Sequence, residues 1–181
     1  MPFIFEKTKL KNVYIITPKI FEDNRGFFME TYKFSDFKKN NIPHNFTQDN
    51  HSLSKGTVVR GIHFQKYPKE QGKLVRCIKG TILDVAVDLD PNSVNYLQWV
   101  SVILSEKNKK MLYIPPGFGH GFSTLVEKEN DVTEVSYKCT GEYDAELDSG
   151  IRWNDPALRI DWRVKNPTIS LKDSKLPLIN T

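Results

Sequence analysis

LVRCIKGTILDVAVDL, residues 74–89, alternates apolar side chains with others on both sides of Lys79-Gly80. That period of two is the signature of β-strands, and a Lys-Gly pair between two such runs predicts a hairpin turn. In the second arm Leu83, Val85, Val87 and Leu89 share one face, while Ile82, Asp84, Ala86 and Asp88 share the other. The same reading extends to WVSVILS (99–105), MLYIPP (111–116) and VTEVSYKCT (132–140), each bounded by Asn, Gly, Pro or charged residues. One short helix is predicted over FSDFKKNN (34–41), with Ser35 as its cap. Many short strands and few helices predict an all-β fold, an antiparallel β-sandwich or jelly-roll barrel. The Pro- and Asp-rich stretch after Trp153 reads as an ordered wrap over that barrel.

The chain has 181 residues, 39% hydrophobic and 27% charged, enough for a single domain over 1–181 with its own core. Its opening, MPFIFEKTKL, has no apolar run of signal-peptide length, and no stretch approaches membrane-spanning length. Cys77 and Cys139 both sit in strand-like segments, so they are expected as free buried thiols, and the protein as cytoplasmic. A net charge of +4, with lysines scattered along the chain, argues against a nucleic-acid face and suits a small anionic ligand.

Polar residues gather where packing does not demand them, in FEDNRGFFMETY (21–32), FTQDNHS (46–52), VVRGIHFQ (58–65), QGKLVR (71–76), IPPGFGHGF (114–122), SYKCTGEY (136–143) and ISLKD (169–173). The resident metal site of cupin barrels needs a His-x-His pair, but Gln65 follows His63-Phe64, so no bound metal is expected. A neutral imidazole suits proton abstraction near neutral pH and needs an orienting partner on its second nitrogen. Spacing leaves Asp84, Asp88, Asp155, Asp161 and Asp173 all open as that partner of His63. Tyr137 shares a strand face with Val135 and Cys139 and is expected to point inward. Strict alternation sets Arg60 and His63 on opposite faces; they serve one pocket only if Gly61 carries a bulge.

DNRGFFMETY, FTQDNHS, VVRGIHFQ, QGKLV, LDVAVDL, IPPGFGHGF, YKCTGEY, GIRWNDP and SLKD, in this order and spacing, resemble the dTDP-4-dehydrorhamnose 3,5-epimerases. These are metal-independent cupins that need no cofactor. The resemblance, which runs from about Val13 to about Pro177, implies His63 as general base, Asp173 as its orienting carboxylate and Tyr137 as the acid on the opposite sugar face. Lys73 would stabilise the developing oxyanion, and Tyr143 would stack on thymine. Arg25, Glu30, Gln48, Asn50, Arg60, His120 and Lys172 would contact diphosphate, nucleoside or sugar, with Asp148 standing where the family more often has glutamate. The implied substrate is a dTDP-linked 4-keto-6-deoxyhexose, and the implied assembly a homodimer with exchanged N-terminal strands. Asp90 and Tyr96-Leu97 depart from the family pattern, and relatives with the same base and acid epimerise C3 alone or C5 alone.

Overall fold

The computed structural model describes residues 2–42 and 45–179. In chain order the elements are β1 (Phe3–Lys7), β2 (Tyr14–Pro18), β3 (Ile20–Asp23), β4 (Gly26–Met29), α1 (Phe34–Lys39), β5 (Gln48–Lys55) and β6 (Val59–Gln65). They continue with β7 (Lys73–Lys79), β8 (Thr81–Asp88), β9 (Trp99–Ser105), β10 (Met111–Ile114), β11 (Phe118–Thr124), β12 (Val132–Cys139), β13 (Asp148–Gly150) and α2 (Leu171–Ser174).

Two antiparallel sheets face each other. One has the strand order β1-β2-β10-β7-β12-β5, the other β13-β6-β11-β8-β9, and β3-β4 form a separate hairpin. The all-β, cupin-like expectation therefore holds. The hairpin expected at Lys79-Gly80 does not form. β7 and β8 lie in different sheets, and the chain crosses between them at Gly80, whose φ of +81° favours glycine. Alternation in a sequence fixes which side chains share a face; it does not fix which strand pairs with which. The short helix is present, but Lys33 rather than Ser35 occupies its N-cap, without a side-chain hydrogen bond. The helix is held instead by Phe37, fully buried with its ring edge-on to Phe3, Phe5 and Tyr32.

Between the sheets lie Val75, Cys77, Ile82, Ala86, Leu104, Leu112, Phe122 and Val135. The outer face of the second sheet, with Leu83, Val85 and Val87, is covered by Leu158, Ile160, Trp162, Val164 and Ile169 of the carboxy-terminal wrap. Both faces of β8 are therefore covered, which is why its residues from Ile82 to Asp88 are all buried. Cys77 and Cys139 are free and buried, as expected. Among the described residues no helix is long and apolar enough to cross a membrane.

Candidate active site

Toward one end of the barrel the inward positions change from apolar to polar. On β7 the inward sequence runs Cys77, Val75, Lys73; on β12 it runs Val135, Tyr137, Cys139. Register pairs Tyr137 with Asn50 and Cys139 with Gln48 of β5, so these four face the interior together. On the opposite sheet His63 pairs with His120 and Gly150, and Gln65 with Asp148.

Arg60 also faces inward. Between His120 and Phe122 the pairing shifts so that His120 opposes His63 while Phe122 opposes Arg60, which leaves one extra residue on β6. This is the bulge that the sequence required, and Gly61 carries it with φ +116°. A Cβ on Gly61 would lie 2.6 Å from Gly121 Cα and 2.7 Å from the His120 carbonyl oxygen, so only glycine fits. The same glycine donates its N–H to Asp173 Oδ2 at 3.1 Å, while Asp173 Oδ1 lies 2.7 Å from His63 Nε2.

Of the five aspartates left open as the partner of His63, the structure selects Asp173. Asp84 binds His120, Asp88 binds Ser93, Asp155 accepts from the amides of Ala157 and Ile179, and Asp161 accepts from Arg163. Asp173 sits in α2, where Ser170 caps the helix by accepting from the Asp173 amide at 3.0 Å. Burial would raise the Asp173 carboxyl pKa, but the His63 hydrogen bond and charge, with the Gly61 amide and Ser170, hold it below its ordinary value. An ionised Asp173 accepts from Nε2–H, which fixes the neutral tautomer whose lone pair is on Nδ1.

A cavity of about 340 Å³ is lined by Gln48, Asn50, His63, Phe64, Gln65, Gln71, Lys73, Tyr137, Tyr143, Asp148 and Lys172. His63 and Tyr137, from opposite sheets, thus open into one space. Burial pushes the Tyr137 phenol up, keeping it protonated, and lowers the Lys73 ammonium from its ordinary value. Lys73 Nζ lies 3.4 Å from the His63 carbonyl oxygen. At the rim, Lys172 pairs with Asp148 Oδ2, the Tyr143 hydroxyl donates to the same oxygen at 3.1 Å, and Gln48 Oε1 accepts from the Tyr143 amide at 2.7 Å. A larger groove of about 690 Å³ shares Phe64 and Gln65 with this cavity but contains neither His63 nor Tyr137.

Several expected site residues stand elsewhere. His120 is 6% exposed and is not among the residues that line this cavity; its Nε2 is 2.7 Å from Asp84 Oδ1. Arg60 donates to Ser54 Oγ and the Leu53 carbonyl, outside the cavity lining. Arg25 and Glu30 are not in this cavity at all; they belong to the region of the β3-β4 hairpin, where Arg25 is 85% exposed and pairs with Asp23. Among the described residues the hairpin pairs with no other strand.

Two residues escaped the sequence reading. Gln65, noticed only as an interruption of His-x-His, is buried and ties two loops together. Its Nε2 donates to the Lys69 and Glu142 carbonyls, and its Oε1 accepts from the Asp144 amide at 2.8 Å. Gln71 Nε2 donates to the Gly141 carbonyl at 2.7 Å. Alternation from His63 already placed Gln65 inward; its partners, in the 142–144 loop, lay too far along the chain to be read. Among the described residues no group of three or more His, Cys, Asp or Glu is placed to hold a metal ion.

A cupin-like barrel that sets an aspartate-oriented imidazole and a phenol across one cavity defines an acid–base enzyme. The family model described as dTDP-4-dehydrorhamnose 3,5-epimerase matches residues 7–181, and the chain belongs to that family, whose members are isomerases. It is 48% identical over 174 residues to the dTDP-4-dehydrorhamnose 3,5-epimerase of Methanothermobacter thermautotrophicus, covering 94% of this chain and 91% of that one. Its fold matches the dTDP-4-dehydrorhamnose 3,5-epimerase of Bacillus anthracis, solved with TDP and PPi bound, with a TM-score of 0.93 and 42% identity over 98% and 99% of the two chains. The dTDP-6-deoxy-D-glucose-3,5-epimerase of Legionella pneumophila, in complex with dTDP-4-keto-L-rhamnose, matches with a TM-score of 0.91 and 39% identity over 97% and 92%.

Proposed function

We propose that this protein epimerises C3 and C5 of dTDP-4-dehydro-6-deoxy-D-glucose to give dTDP-4-dehydro-L-rhamnose, a step of dTDP-L-rhamnose biosynthesis. The observation that carries this reading is the 2.7 Å His63–Asp173 contact facing Tyr137 across one cavity. A ketone at C4 acidifies the hydrogens on C3 and C5, because the carbanion left behind is an enolate. His63 removes the hydrogen from one face and Tyr137 returns one from the other, which inverts the carbon. Lys73, buried beside His63, meets the negative charge that grows on the C4 oxygen. The oxidation state of the sugar does not change overall, so the chemistry calls for no redox partner.

Gln48, Asn50, Tyr143, Asp148 and Lys172 at the cavity wall suit the nucleotide: an aromatic ring for the base, a cation and amides for the diphosphate. Arg25 and Glu30 reach such a ligand only from a second copy of the chain. The exposed Ile4, Phe27 and Phe28 favour that homodimer, with amino-terminal strands exchanged and the hairpin lent to its neighbour. Arg60 holds β5 to β6 beside the phenol, and His120 stands opposite His63 on the neighbouring strand.

The test is deuterium incorporation from heavy water, followed by NMR on the dTDP-keto sugar without added metal or nicotinamide. Wild-type protein exchanges at both C3 and C5; His63→Ala exchanges at neither; Tyr137→Phe retains some exchange but yields no inverted product. Exchange at one carbon alone makes the protein a mono-epimerase, and full turnover by Tyr137→Phe removes Tyr137 as the acid.

A further inference from the structure

Each inversion leaves the site out of register with itself. His63 has gained a proton and Tyr137 has lost one, yet a second carbon of the same bound sugar awaits the same chemistry. We propose that His120 and Asp84 form a proton relay that resets His63 and Tyr137 between the two epimerisations, while the ligand stays bound. The proposal rests on the 3,5-epimerase reading and extends it to residues that do not line the cavity.

The geometry sets His120 near both groups. It is the direct cross-strand partner of His63 on β11, where opposed Cβ atoms lie about 5 Å apart. Its ring centroid is 6.4 Å from that of Tyr137. Nε2 is engaged by Asp84 Oδ1 at 2.7 Å, and Asp84 is the only hydrogen-bond partner of the His120 ring among the described residues. Asp84 is fully buried, and its second oxygen, Oδ2, has no partner among the described residues. A buried ion pair kept for stability alone is poorly served by such a gap, because an unsatisfied buried oxygen costs about 1–3 kcal/mol. Two aliphatic residues in a wall otherwise made of Ala86, Ile82 and Phe122 would pack without that cost.

The proton count closes. His120 gives a proton to the Tyr137 phenolate and recovers one from the His63 imidazolium, with Asp84 carrying the matching proton on the other ring nitrogen in the interval. All four groups return to their starting forms, and no proton is created or lost. The net transfer runs downhill, since an ordinary phenol holds its proton about 3.5 pH units more tightly than an ordinary imidazole. Burial favours the neutral form of both relay partners, lowering His120 and raising Asp84, so the pair holds one proton without net charge.

The test is a rapid-quench time course with enzyme in excess over dTDP-4-dehydro-6-deoxy-D-glucose, resolving singly and doubly epimerised sugar. The first inversion starts from a ready site and needs no reset. Asp84→Asn and His120→Gln are therefore expected to slow the second inversion about tenfold or more beyond any slowing of the first, so that singly epimerised sugar accumulates. Equal slowing of both steps, or of neither, overturns the relay, the former pointing to a purely structural pair. Asp84→Asn preserves size and decides the matter if His120→Gln fails to fold. A wild-type protein that inverts neither carbon sinks the epimerase reading itself, and the relay with it.

Discussion

Replacing Asp173 by asparagine removes one negative charge and almost no volume. Its carboxylate accepts from two donors, His63 Nε2 at 2.7 Å and the Gly61 amide at 3.1 Å. An amide has one accepting oxygen. If that oxygen keeps Gly61, the NH2 group turns to His63 and donates to Nε2, which drives the ring proton to Nδ1 and ties up the lone pair. Holding a catalytic imidazole in the wrong tautomer costs about 10³–10⁴ in rate, about 4–5.5 kcal/mol of transition-state stabilisation. Asp173 does not line the cavity, so KM is expected to stay within about threefold while kcat falls. The assay is deuterium wash-in at C3 and C5 by NMR, with initial rates at several substrate concentrations. Unfolding adds a second arm. The pKa of Asp173 is depressed in the folded state, so its stabilising contribution is present above the ordinary carboxylate value and is lost as pH falls through the lower, folded one. The stability gap between wild type and Asp173→Asn should therefore narrow below about pH 4. A variant that turns over within about tenfold of wild type would refute the assignment of Asp173 as the orienting group.

The lowered His120 pKa also costs stability in acid, but in a higher pH window. The unfolded chain takes up a proton near the ordinary imidazole value while the folded protein resists it, so wild-type stability falls as pH drops below about 6.5. His120→Gln should show a flatter profile between about pH 6.5 and 5, by at most about 1.4 kcal/mol per pH unit, in urea denaturation; an unchanged slope would refute it. Gln65→Ala unties the 66–70 and 141–144 segments and should cost about 1–3 kcal/mol by thermal melting. It should also raise KM more than it lowers kcat, because the 141–144 segment carries Tyr143; an unaffected KM would refute the latch.

Much of the site was legible because a strand turns linear order into facing. Val135, Tyr137 and Cys139 had to share a side, and Arg60 and His63 could share one only through a bulge at Gly61, which the structure contains. The partner of His63 was not legible from spacing, since Asp173 is 110 positions away and four other aspartates fitted as well. The motif order resolved it where the spacing could not. His120 was read as a ligand contact and Asp84 as one of the candidate partners of His63; their mutual contact joins β8 to β11 across 36 positions of chain.

The amino-acid order by itself determined an all-β chain, the inward and outward sets on each strand, the candidate imidazole, phenol and lysine of the chemistry, and the family. Folding in three dimensions decided that β7 and β8 part company at Gly80 into opposite sheets, that Asp84 meets His120, and that Arg25 and Glu30 stand away from the cavity of their own chain. The division has a physical cause. Side-chain facing is set by backbone geometry over two residues, whereas strand partners and ion pairs are set by which distant surfaces bury one another, and that competition is settled only by the whole chain at once.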